Sequence, residues 1–171
     1  MYDISTGQET KITSSTSQQP AVHNNKIVWQ DFRKGNGDIY MYDISTGQET
    51  QITTNTASGA RIYGDKVVWH DRRQGLNNKD IYMYDLLNNK ETQITTNPSN
   101  QDIPVIYDNI IVWRDFRNGN YDIYMYDIST GQEMQISINT ADQWWPAIYD
   151  SKVVWDDYRN SNWDIYMATI K

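Results

Sequence analysis

Four copies of an acid–arginine pair are the chain's most regular chemical feature: Asp31 with Arg33, Asp71 with Arg73, Asp115 with Arg117 and Asp157 with Arg159. A second acid follows each pair, at Asp38, Asp80, Asp122 and Asp164. Paired carboxylates can work as general acid and base. Asp31, Asn36 and Asp38 also have the oxygen ligands of a calcium loop. The competing chemistry is that of a turn: Asp and Asn bond nearby backbone N–H groups, and Arg bridges the two acids or reaches the next unit. A catalytic site is needed once, a structural device once per unit. The fourfold recurrence therefore reads as a structural turn motif, with no catalytic residue, no metal and no cofactor expected, and calcium as the alternative.

Other catalytic chemistry has little to draw on. His23 and His70 are the two histidines, and they stand at non-equivalent places. There is no Gly-x-Ser-x-Gly elbow for a nucleophilic serine. Two scattered histidines without cysteine do not make a zinc site.

The aromatic residues divide into those that obey the pattern and those that break it. Trp29, Trp69, Trp113 and Trp155 recur in an apolar run, as do Tyr40, Tyr82, Tyr124 and Tyr166, and both sets read as core. Trp144 and Trp145 stand where the other units have Gln18-Gln19, Ser58-Gly59 and Asp102-Ile103. Trp163 and Tyr121 occupy a turn position held elsewhere by Gly37 and Lys79. Trp144, Trp145, Tyr121 and Trp163 are the candidate ligand-binding residues. In antiparallel strands the loop before the first strand and the turn after the second emerge on one face. Exposed aromatics on variable loops suit protein or glycan recognition. Packing of Trp145 over Pro146 is the structural alternative.

The elements that must position these residues come from a repeat. The Met of Ile-Tyr-Met falls at 41, 83, 125 and 167, a step of 42 residues, which is the signature of a repeat architecture. In the first full copy, strands are predicted over Pro20–His23, Lys26–Phe32, Asp38–Ile44 and Gln48–Thr53. Asn24-Asn25, Gly64-Asp65, Asp108-Asn109 and Asp150-Ser151 are turns that tolerate positive φ. Ile27-Val28-Trp29 is apolar without alternation, as in a sheet covered on both faces. The fourth strand is mostly polar, a blunted edge. Four-stranded antiparallel units of this length, stacked on one another, predict an all-β propeller. The chain is one domain, 1–171, with repeats at 1–40, 41–82, 83–124 and 125–166 and a closing strand at 167–171.

Composition agrees with this reading. Thirteen Tyr and seven Trp beside two Phe suit strands that pack through large rings with a polar tip. The net charge of −7 provides no basic stripe for nucleic acid. No apolar run reaches the roughly 18 residues of a membrane span. Cysteine is absent, so no disulfide framework is expected. Met1 to Thr10 is identical to Met41 to Thr50. Met1 is thus the repeat's own internal methionine, which points to a piece of a longer repeat protein.

The run Pro-Ala-Ile-Tyr-Asp-Ser-Lys-Val-Val-Trp, followed by Asp-Tyr-Arg-Asn, Trp-Asp-Ile-Tyr-Met and, in earlier copies, Gln-Ile-Thr, resembles the TolB-type β-propeller repeat. The nearest variant is the tandem repeat of archaeal cell-surface proteins. The chain lacks the Ser-Pro-Asp-Gly turn of TolB itself. The resemblance implies an extracellular or cell-surface setting and a binding or scaffolding role without catalysis. The alternative it leaves is the propeller domain of a carbohydrate-active enzyme such as a polysaccharide lyase.

The two ends are expected to complete one blade. Residues 8–13 read as a fourth strand without its first two, and the last repeat lacks a fourth strand. Pairing can occur within a monomer, favoured by effective concentration, or by exchange of ends in a homodimer.

Overall fold

The structure, a computed structural model, describes residues 2–170 and is all-β. A hairpin of β1 (Tyr2–Asp3) and β2 (Gln8–Glu9) precedes the first blade. Blade one is β3 (Ser17–His23), β4 (Lys26–Asp31), β5 (Asp38–Asp43) and β6 (Gln48–Gln51). Blade two is β7 (Ala57–Tyr63), β8 (Lys66–Asp71), β9 (Asp80–Asp85) and β10 (Lys90–Gln93). Blade three is β11 (Gln101–Tyr107), β12 (Ile110–Asp115), β13 (Asp122–Asp127) and β14 (Gln132–Gln135). Blade four has β15 (Gln143–Tyr149), β16 (Lys152–Asp157) and β17 (Asp164–Thr169). Every sheet is an antiparallel meander in sequence order. The sequence period set at the methionines cuts through the third strand of each blade, so the structural units run instead from first to last strand.

Local chemistry explains the turns. Asn24, Gly64, Asp108 and Asp150 take φ of 52°, 56°, 52° and 52°, the left-handed conformation the first hairpin needs. The third turn is held by an acid that bonds backbone N–H groups beyond it: Asp43 Oδ1 accepts from Ser45 N at 2.9 Å and Asp127 Oδ1 from Ser129 N at 2.8 Å.

The core lies between blades. Val28, Ile39 and Met41 on the trailing face of blade one pack against Ile62, Val67, Trp69 and Tyr82 on the leading face of blade two. Val68, Ile81 and Met83 meet Ile106, Ile111, Trp113 and Tyr124 in the same way. Val112, Ile123 and Met125 meet Val153, Trp155, Ile148 and Tyr166. The two inner blades are sandwiched between neighbours, which is why their middle strands carry apolar residues on both faces. No helix in the described residues is long and apolar enough to cross a membrane.

Each first strand carries a β-bulge at the same place. Register shifts between Gln18 and Ala21, Ser58 and Arg61, Asp102 and Val105, and Trp144 and Ala147. The residue after the break is left-handed every time: Gln19 (φ 54°), Gly59 (69°), Ile103 (54°) and Trp145 (50°). A bulge bends the strand and re-aims a side chain. For a β-branched residue such as Ile103 this backbone is strained, a feature that clusters at working surfaces.

The ends carry complementary pieces, but a single chain does not join them. Blade four stops at three strands, and β17 has no second neighbour among the described residues. The matching strand is β2, whose register with β1 (Asp3↔Gln8, Tyr2↔Glu9) repeats that of β5 with β6 (Asp43↔Gln48, Tyr42↔Glu49). The expectation of closure within a monomer is therefore corrected: β2 takes β1. The reason is geometric. The blades pack one to the next in an open row, and the short loop from Ile4 to Gly7 closes a hairpin at far lower entropic cost than a link between the two ends of the row.

Candidate functional site

The Asp–Arg motifs sit at the end of each second strand and act on the frame. Asp115, fully buried, accepts from Trp113 Nε1 at 3.0 Å, Arg117 N at 2.9 Å and Arg117 Nη2 at 2.6 Å. Arg117 lies over the Tyr124 ring at 4.2 Å and reaches Glu133 on β14 at 2.5 Å. Asp31–Arg33–Glu49 and Asp71–Arg73–Glu91 repeat the arrangement. Asp157–Arg159 repeats it with the ring of Tyr166 at 3.8 Å. The arginine thus clamps the second strand to the fourth, rather than bridging to the second acid as the sequence suggested.

The second acids bind neutral partners. Asp38 accepts from Gln51 at 3.1 Å and Asp80 from Thr95 at 3.3 Å. Asp122 accepts from Asn118 at 2.8 Å, and Asp164 from Asn162 at 2.7 Å. Burial raises Asp38, Asp80 and Asp122 above the usual carboxylate range. The Arg33 guanidinium, with Ser15 and Trp29, holds Asp31 far below that range. Both Asp31 oxygens, which a calcium loop through Asp31, Asn36 and Asp38 would use, are engaged by Arg33.

The aromatics that break the repeat come together. Tyr121 meets Trp144 edge-on at 5.6 Å, and Trp144 meets Trp163 at 6.0 Å and Trp145 at 6.5 Å. The cluster extends through Phe116, 4.9 Å from Tyr121, and Tyr158, 5.0 Å from Trp163. Phe116, Trp145, Tyr158 and Trp163 are exposed. At the bulge Trp145 is exposed, while its neighbour Trp144 stays half-buried.

At the centre is a residue the motif reading passed over. Arg114 is buried, and its guanidinium lies between the Tyr121 ring at 3.9 Å and the Trp144 ring at 4.2 Å. Asp102 holds it through two bonds, at 2.9 and 3.1 Å, and Lys79 of the preceding blade joins Asp102 at 2.8 Å. Burial works to raise Asp102, and the Arg114 and Lys79 contacts outweigh it, leaving the carboxyl below its ordinary value. Arg114 Nη1 and Trp144 Nε1 are buried donors without a partner. Leaving such donors unpaired costs stability.

Arg114 belongs to a row of unlike cross-strand pairs, one per blade. Gln18 faces Gln30, Ser58 faces His70, Asp102 faces Arg114 and Trp144 faces Asp156. The flanking strands are nearly identical, so this difference marks the row as the place where blades acquire individuality. Comparing Gln30, His70, Arg114 and Asp156 inside an otherwise repeated strand is the signal that would have found it.

His70 bonds Ser58 Oγ at 2.7 Å through Nε2, and burial pushes its pKa from 6.5 down to about 4. Between those values the unfolded chain binds a proton that the folded chain refuses. Stability therefore falls as pH drops through that window, by about 3 kcal/mol at full effect. His70→Gln, which installs the residue of blade one, should abolish that drop. Urea midpoints at neutral pH and at about pH 5 check it, since carboxylates titrate mainly below this range.

The opposite end of the first strands carries a second row: His23 stacks on Tyr63 at 4.4 Å, Tyr63 meets Tyr107 at 4.8 Å, and Tyr107 meets Tyr149 at 5.0 Å. It obeys the repeat and runs across all four blades.

Comparison with solved structures fits this architecture. TolB of Acinetobacter baumannii superimposes with a TM-score of 0.73 at 22% identity, over 98% of this chain and 45% of that one. The chain has a TolB-like β-propeller fold. The propeller domain of the Trilobed protease from Pyrococcus furiosus, described as having an open velcro topology, matches with a TM-score of 0.68 at 14% identity, over 92% of this chain and 56% of that one. A prolyl endopeptidase matches with a TM-score of 0.73 at 11% identity, over 98% and 29% of the two chains. The chain spans about half the length of the TolB proteins it matches. No family model and no curated protein matches it. Propellers of this type thus occur in peptidases as well as in TolB, and identities this low speak to the fold alone.

Proposed function

We propose that this propeller is a non-catalytic recognition module, and that a protein partner docks on the aromatic face of blades three and four. The observation that carries the reading is the Arg114 guanidinium fixed between Tyr121 and Trp144, with exposed Trp145 and Trp163 beside it. Trp, Tyr and Arg are the residues that dominate protein-interface hot spots. Here they are already immobilised, so little side-chain entropy is lost on docking. A glycan is the second ligand class that such rings suit, through stacking on Trp145 and Trp163. The setting that the sequence resemblance implies, outside the cell or on its surface, would serve either ligand. A carbohydrate-active enzyme is the weaker reading, because Arg114, Asp102 and Lys79 at this face are tied to one another in ion pairs.

Trp163→Ala and Trp145→Ala should each weaken partner binding about ten- to thirtyfold, the loss of one hot-spot side chain. Both are exposed, so melting temperature should hardly move. Surface capture of candidate partners and a glycan array, run on native and variant chains, are the test. Retained binding in both variants refutes the face, and glycan binding lost in both reassigns the ligand.

A further inference from the structure

We infer that two copies of this chain close head-to-tail into one eight-bladed ring, each copy supplying the fourth strand of the other's last blade. Every inner junction pairs one trailing set with one leading set, and the outer blades expose both halves of that same junction. On blade four the trailing residues Ile165 and Met167 are 73% and 58% exposed, whereas Ile39, Ile81 and Ile123 are 0% and Met41, Met83 and Met125 are 9%, 8% and 5%. On blade one the leading residue Val22 is 64% exposed, whereas Ile62 and Ile106 are 7% and 8%. Beside it Ile12, Pro20, Ile27 and Trp29 line an open, nearly apolar recess of about 340 Å³. The two surfaces are complementary because the chain itself has already packed three such pairs.

Polar contacts are missing from the same places. Arg33, Arg73 and Arg117 each reach a glutamate on the fourth strand of their blade. Among the described residues Arg159 has none, and the repeat counterpart is Glu9 on β2. Ala57, Gln101 and Gln143 N–H groups donate to the carbonyls of Gly37, Lys79 and Tyr121 of the preceding blade. The unmade member of this series is Ser17 to Trp163. Tyr149, exposed at one end of the aromatic row, lacks the stacking partner that His23 offers at the other.

The edge strand completes the fit. The fourth strands β6, β10 and β14 each pair over four positions with the strand before them. β2 holds β1 by two positions, in the register that β17 of a second copy would need. Exchange replaces the shorter ladder by the longer one and covers an open edge. Ring size follows from arithmetic. One chain is not closed, further copies add four blades each, and propellers run from about four to eight blades. Two copies are the closing number for this heterologous contact.

Light scattering after size exclusion should give twice the mass of one chain, and small-angle scattering the profile of a closed ring. Ile165→Asp and Val22→Asp lie on opposite surfaces and are exposed in a single chain, so each should yield a folded monomer that still unfolds cooperatively in denaturant. A monomeric native chain at all accessible concentrations overturns the inference. So does a dimer that either variant leaves intact, because a head-to-tail ring needs both surfaces.

Discussion

Trp113→Ala will remove about 4 kcal/mol of stability, within the range for truncating a large buried aromatic. Trp113 is fully buried at the junction of blades two and three, parallel to Tyr124 at 6.2 Å, and donates to Asp115 at 3.0 Å. Truncation opens a cavity between two sheets whose spacing is fixed by the flanking side chains, so the gap cannot collapse. The total stability of a domain is about 5–15 kcal/mol, so the variant should stand close to unfolding at body temperature. Denaturant titration by tyrosine fluorescence measures it. A loss below about 1.5 kcal/mol would mean that the blades slide together and that the interface is softer than its packing indicates.

Asp115→Ala should cost about 3 kcal/mol, toward the lower end of what an abandoned buried charge costs, because Arg117 keeps Glu133. The carboxylate ties three donors at the end of β12, and its loss leaves the Trp113 indole N–H buried without an acceptor. Asp71→Ala should cost about 1 kcal/mol less, because the Trp69 indole N–H already lacks a partner in blade two. Partner binding at the aromatic face should survive in both. Equal melting shifts for the two variants would refute the role given to the indole bond, and lost binding without a melting shift would refute the structural role of the motif.

The fold was legible because every blade repeats the same signals. Asn24, Gly64, Asp108 and Asp150 are turn residues by type and take the turn conformation. The apolar runs around Trp69 and Trp113, in the two inner blades, are covered on both faces as their lack of alternation required. The convergence of Trp144, Trp145, Tyr121 and Trp163 was legible too, since antiparallel strands fix which loops share a face. The bulge was not. Gly59 is the one residue of its four whose type announces a left-handed backbone, while Gln19, Ile103 and Trp145 are held there by the sheet. Arg114 was missed for a related reason. Its environment comes from Asp102, Tyr121 and Trp144, which are distant in the repeat. The pairing of β2 with β1 in a single chain was not legible, because sequence matching identifies strands that could pair but carries no distance between them.

The stacked Trp–Tyr pair inside every blade has an optical consequence. Ring centroids 6.2–6.4 Å apart at 15–25° make Trp29–Tyr40, Trp69–Tyr82, Trp113–Tyr124 and Trp155–Tyr166 four coupled chromophores in nearly the same orientation within their sheets. Their transitions mix, and the rotational strength of that mixing depends on the angle between rings rather than on the backbone. Near-ultraviolet dichroism, which reports fixed tertiary packing, therefore reads blade stacking directly in this chain. The short-wavelength spectrum, where the same rings absorb, is a poor measure of its strand content.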